Sequence, residues 1–222
     1  MHIPDGFLSP QTTLPATALA LGAWSWAARG LKARLDETLI PRLAVGTALA
    51  YGLGLIMLPL PGGSSAHLVG VAMLALLFGW RLAFLAHSGV LLLQALLFGA
   101  GGLTALPVNA LAMGLVGSIT ARAVFRLLRP LNEAAAVLLA GWASVIVPGA
   151  LLALILGLQP SIAAKDDGTP LFFPFGLEIT LPAILVPHAL IGIGEAALTL
   201  LVWRYAKVRK WQQTADPSPP AP

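Results

Sequence analysis

Four histidines and no cysteine bound the chemistry open to this 222-residue chain, and the histidine at position two is the most informative of them. Met1-His2, opening the stretch MHIPDGFLSP, lets one peptide terminus supply three nitrogens to a metal. They are the amine of Met1, the backbone amide nitrogen of His2 and an imidazole nitrogen of His2, which together close two small chelate rings. A fourth nitrogen would complete a planar set suited to Ni(II), Cu(II) or low-spin Co(II). For a lone Met-His an arbitrary tail is the better reading; a second well-placed histidine reverses the odds. A bulky second residue also disfavours removal of the initiator methionine, so Met1 is expected to carry a free amine.

That second histidine is His67, in PLPGGSSAHLVG. Ser64 and Ser65 precede it, and either can cap a short helix. A helix N-terminus favours the neutral, metal-binding imidazole. On its own, an intramembrane histidine is as readily a buried hydrogen-bonding group as a ligand; paired with Met1-His2 on one side of a membrane, the ligand reading is preferred. Ser64, Ser65, Gln94 and Asn109 are candidates for a surrounding shell that holds ligands in place, against ordinary interhelical hydrogen bonding. His87 reads as structural. His188 and Glu195, seven apart and so on one helix face, form either a polar seam or packing contacts with other helices. Pro4-Asp5-Gly6 is a turn signal that folds the N-terminus back toward a bundle mouth, with Asp5 read as a solvated loop carboxylate.

The elements that must position these residues are membrane helices. The chain is 58% hydrophobic and 10% charged, against roughly 25% charged in soluble domains. Apolar segments at 11–29, 42–60, 67–80, 82–99, 108–128, 132–157 and 178–203 predict an all-α polytopic membrane protein of seven helices. Ser9-Pro10 starts the first. The third is too short to span: at 1.5 Å per residue it reaches only about 20 Å, which places its His67 end inside the membrane. Of the 13 basic residues all except Lys165 fall in loops that are internal if the N-terminus is outside, so the expected topology is N-out, C-in. The candidate ligands then share the outer face. Residues 1–211 read as one membrane-embedded helical domain with a metal-binding segment at 1–10. Residues 212–222, polar and proline-rich, read as a disordered tail.

Without cysteine there is no disulfide framework, thiolate or iron–sulfur site. The basic residues flank apolar runs and form no nucleic-acid patch. The N-terminus lacks the basic region and early apolar run of a signal peptide. No phosphate-binding glycine loop is present, and Ser64 and Ser65 sit in no nucleophile elbow. The chain is therefore read as a non-enzyme without a prosthetic group.

Four stretches in order along the chain, MHIPDGFLSP, PLPGGSSAHLVG, LLLQALLFGAGGLTALPVNALAMG and PHALIGIGEAALT, resemble the membrane-embedded substrate-capture component of energy-coupling-factor transporters for cobalt and nickel, the CbiM/NikM family. The resemblance implies a seven-helix bundle in the inner (plasma) membrane that takes up Co2+ or Ni2+. The ligands it implies are the Met1 amine, the His2 amide and imidazole, and His67. It also implies partners: a transmembrane coupling component, a pair of cytoplasmic ATPases and often a small accessory membrane subunit. The purpose could be cobalamin synthesis or supply of a nickel enzyme. Ala100 stands where the family often has an acidic residue, and Leu-Val-Gly after His67 is nearer the nickel-type pattern.

Two other classes are weighed against this. A capture component for an organic vitamin would need aromatic and hydrogen-bonding groups converging on a cavity, and the outer loops offer chiefly Phe172, Phe173 and Phe175. An intramembrane hydrolase built on Ser64 or Ser65 with His87 or His188 is remote. The chelate separates them: an N-terminal tag or acetyl group removes the amine and is expected to abolish Ni2+ and Co2+ binding. Full affinity in an N-tagged protein, measured by calorimetry, would refute it.

Overall fold

The computed structural model describes residues 2–31, 35–56, 58–60 and 64–211, with side chains of 58–60 and 64–66 excepted. Seven helices follow one another: α1 (Pro10–Ala28), α2 (Leu39–Leu55), α3 (Val71–Phe78), α4 (Trp80–Phe98), α5 (Leu106–Leu128), α6 (Glu133–Gly157) and α7 (Leu177–Val208). Four of them, α4 to α7, are long and apolar enough to cross a membrane. Their lipid-facing sides carry large apolar groups such as Leu97, Leu127, Leu190 and Leu201, more than half exposed in the bare protein. The chain is a helical membrane protein.

The local chemistry explains most boundaries. Pro10 occupies the first turn of α1, where its missing N–H costs nothing. Ser9 takes the N-cap position with an extended backbone, but its hydroxyl pairs with that of Thr12 rather than with a backbone amide. Asn132 caps α6 by accepting the Ala135 N–H at 2.9 Å. The one residue between α3 and α4, Gly79, lies at φ +84°, a left-handed-side conformation open to glycine. Mid-way along α5, residues Ala110–Val116 widen into π-helix directly after Asn109, a feature that re-aims side chains at functional sites. α7 continues to Val208, past the expected 203, because Lys207 and Trp203 both donate to Glu133 of α6, at 2.8 Å and 2.6 Å.

The segment around His67 departs from the sequence reading. α2 stops at Leu55, and Leu58–Leu60 and Ser64–Ala66 form a two-stranded antiparallel hairpin, β1 and β2, with Pro59 opposite Ser65. Pro59 and the Pro61-Gly62-Gly63 stretch do not suit a helix interior. Ser64 and Ser65 are therefore strand residues and do not cap α3; their side chains lie outside the described set. α3 starts at Val71, not His67, and its N-cap is Gly70 in the left-handed region at φ +73°. His67 sits in the irregular stretch between β2 and α3. The 212–222 tail and Met1 likewise lie outside the described residues.

α3 is eight residues long, about 12 Å, and all eight are buried. It is the hub of the bundle, with Leu74, Leu77 and Phe78 packed among Leu39, Leu82, Phe125, Val137 and Trp203 from the surrounding helices. Close approach depends on small residues, as expected where lipid offers no hydrophobic drive between helices. α6 and α7 meet at Gly141, where an added Cβ would fall 2.7 Å from the Ala196 Cα and 3.2 Å from its N. Gly141→Ala is expected to cost about 1–3 kcal/mol by overpacking and to lower the melting temperature in detergent. An unchanged melting curve would show that α6 and α7 part without penalty.

Candidate functional site

The N-terminal segment ahead of α1 is a strap folded into the mouth of the bundle. Asn109 on α5 grips Ile3 from both sides: its Oδ1 accepts the Ile3 N–H and its Nδ2 donates to the Ile3 carbonyl, each at 3.0 Å. The same carbonyl accepts the Gly102 N–H at 3.1 Å. Both Ile3 and Asn109 are buried. Two residues on, Asp5 accepts the N–H groups of Leu103 and Thr104 at 3.0 and 2.8 Å and the Thr104 hydroxyl. That hydroxyl contact above all holds the Asp5 carboxyl below its ordinary range. Asp5 is exposed, in keeping with the solvated loop carboxylate expected from sequence, and it also clasps the α4–α5 turn. Gly6 turns the chain at φ +85°, and the Ser9 N–H ends the strap on Gln159 Oε1 at 2.9 Å.

The turn that receives the strap must be glycine. Gly101 has φ +81°, and a Cβ there would press on the His2 side chain at 3.0 Å; a Cβ on Gly102 would collide with Asp5. The GAGGLT run is thereby the floor on which the N-terminus lies.

His2 and His67 come together at the end of this strap. Their rings stack with centroids 4.6 Å apart and planes 22° from parallel. His67 is buried and its Nδ1 contacts the Leu68 carbonyl at 2.8 Å. A carbonyl only accepts, so Nδ1 carries the proton and Nε2 presents a bare lone pair. The Nε2 atoms of both rings are enclosed without a hydrogen-bond partner, as is Gln94 Oε1. Burial favours the neutral form of both imidazoles. Gln94 and His67 meet at Gly54 of α2, where an added Cβ would overlap the Gln94 amide and sit 3.7 Å from His67 Nδ1. Two buried imidazole Nε2 atoms and an amide oxygen, all unpartnered, are atom types that suit a borderline divalent metal.

The other polar residues divide. His87 is buried on α4, two turns before Gln94, with neither ring nitrogen partnered; no hydrogen bond accounts for the structural role expected of it. His188 Nδ1 contacts the Ile184 carbonyl of its own helix at 2.6 Å. Glu195, fully buried, turns to the His67 loop instead, accepting the N–H groups of Val69 and Gly70 at 2.8 and 2.7 Å. So His188 and Glu195 share a face without pairing. Gln159, fully buried, binds Ser9, Thr12 and Ile155. Nothing local in the sequence marks Gln159 as a strap contact, since Ser9 and Thr12 lie about 150 residues away.

A seven-helix membrane bundle whose N-terminal strap folds back to bring two histidines together defines the class of the protein. The chain belongs to the family described as CbiM, the cobalt uptake substrate-specific transmembrane region, which matches residues 2–213. It is 41% identical over 212 residues to the "Probable fused nickel transport protein LarMN" of Lactiplantibacillus plantarum, covering 93% of this chain and 64% of that one. It is 35% identical to the "Fused nickel transport protein NikMN" of Rhodobacter capsulatus, covering 100% of this chain and again 64% of the relative. The chain thus spans just under two thirds of the length of these relatives. A crystal structure of a transition metal transporter superposes with a TM-score of 0.90 at 34% identity, covering 96% of this chain and 95% of that one.

Asn109→Ala would leave the Ile3 N–H buried without a partner, a loss of about 1–3 kcal/mol. Hydrogen exchange of the N-terminal peptide is expected to accelerate at least tenfold. Unchanged exchange would mean that the strap is held by its other contacts.

Proposed function

We propose that this chain captures Ni2+ or Co2+ on the outer side of the inner membrane, as the substrate-binding component of an energy-coupling-factor transporter. The observation that carries the reading is the stacked His2–His67 pair with enclosed, bare Nε2 atoms, reached by a strap that begins at the first residues of the chain. The proposed ligands are the Met1 amine, the His2 amide and imidazole, and His67. Asn109 fixes the strap one residue from His2, and Gln94 lines the pocket. The nickel and cobalt descriptions of the relatives support the same cargo, and residues 1–211 act as one domain.

Topology fits capture from outside. With the N-terminus out, the strap, the hairpin, the α4–α5 turn and the α6–α7 loop lie together on the outer face, while the basic residues flank the inner ends. Release inward needs work that this chain does not supply, so the proposed partners are a transmembrane coupling component, a cytoplasmic ATPase pair and a small accessory membrane subunit. By the usual affinity order, nickel binds such nitrogen sets more tightly than cobalt.

Binding through the His2 amide must release a proton. Affinity is therefore expected to fall as pH falls, and His67→Ala to weaken Ni2+ by at least tenfold. The check is calorimetry on C-terminally tagged protein with an intact Met1, beside the same protein carrying one residue ahead of Met1. Affinity that is flat with pH, or that survives both the extension and His67→Ala, would move the site elsewhere.

A further inference from the structure

Resting on the site proposed above, we infer that Glu195 is a positioning residue for the metal, acting through the backbone of the His67 loop. The fully buried carboxylate spends both oxygens on consecutive N–H groups, Val69 at 2.8 Å and Gly70 at 2.7 Å. These follow directly on the His67–Leu68 pair, in which the His67 Nδ1–H is locked to the Leu68 carbonyl. One side chain of α7 thereby fixes the stretch that decides which way the His67 ring faces.

The loop has no slack. Gly70 is at φ +73°, and even a Cβ would come within 2.8 Å of the Ala50 Cβ and 3.0 Å of its Cα on α2. The stretch is wedged between α2 on one side and the Glu195 carboxylate on the other. Two adjacent donors need two acceptor atoms, which a carboxylate has and an amide lacks. Among the described residues no lysine or arginine is paired with Glu195, so the two backbone N–H groups are what offsets the burial of its carboxyl group. Support for a His67 imidazole from outside the ligand set is worth about 10–100-fold in affinity at metal sites generally.

A residue that merely supports the bundle and one that acts through His67 are separated by a double-mutant cycle. Ni2+ binding would be measured by calorimetry on full-length, C-terminally tagged protein as wild type, Glu195→Gln, His67→Ala and the double variant. Glu195→Gln is expected to raise Kd about 10–100-fold in the wild-type background and by less than about threefold once His67 is absent. The visible absorption of bound Ni2+ in Glu195→Gln should shift toward that of His67→Ala. An equal loss in both backgrounds, or no loss in wild type, overturns the inference while leaving the metal site standing. Kd unmoved by His67→Ala overturns the site itself and the inference with it. Should Glu195→Gln fail to fold, Glu195→Asp, a carboxylate one methylene short, enters the same cycle.

Discussion

Everything about the candidate site hangs on the pair of hydrogen bonds between the Asn109 side chain and the backbone of Ile3. A chain terminus has no neighbouring turn to hold it, and its ordering must be compensated residue by residue. Here an amide with one acceptor and one donor reads both edges of a single peptide residue. That fixes direction as well as position, and it sets the His2 ring beside that of His67. Asp5 on the α4–α5 turn and Gln159 at the end of α6 extend the hold to the whole strap. α5, the α4–α5 turn and the segment just past α6 all contribute, so the strap docks on groups that only the assembled bundle brings together.

The second constraint is space. A strap laid inside a helical bundle needs a floor without side chains and a wall that bends out of helix. Gly101 and Gly102 supply the floor, while the His67 loop supplies the wall against the His2 ring. The irregular loop is tolerated in the bundle because it is buried in protein and the Val69 and Gly70 N–H groups meet a carboxyl group. α3 beneath it, short and wholly buried, carries the loop without crossing the membrane.

Polarity in the interior is rationed accordingly. Most buried polar groups are satisfied: Asn109, Gln159 and Glu195 each meet at least one backbone donor. Those with an atom left unpartnered include His2 and His67 at Nε2 and Gln94 at Oε1, and, further off, His87 at both nitrogens, His188 at Nε2 and the Thr199 hydroxyl. In a medium where an unpaired polar atom is costly, the His2, His67 and Gln94 atoms are the ones that lie together at the end of the strap, where the metal site is proposed.

The sequence by itself determined the membrane class, the seven helices to within a few residues at most ends, the short third helix and the pairing of His2 with His67. These rest on local quantities: apolar run length, charge at the ends of runs, and residue types with ligand chemistry. Asn109 and Gln94 were legible as polar residues in apolar surroundings, though not what they touch. Only the tertiary structure decided that Ser64 and Ser65 belong to a hairpin rather than a cap, that Asp5 is a clasp, that Gln159 ends the strap, and that Glu195 faces residue 70 instead of His188. Each depends on a contact spanning from a handful to 150 positions, whose outcome is set by where helices pack and which backbone groups are left bare when they do.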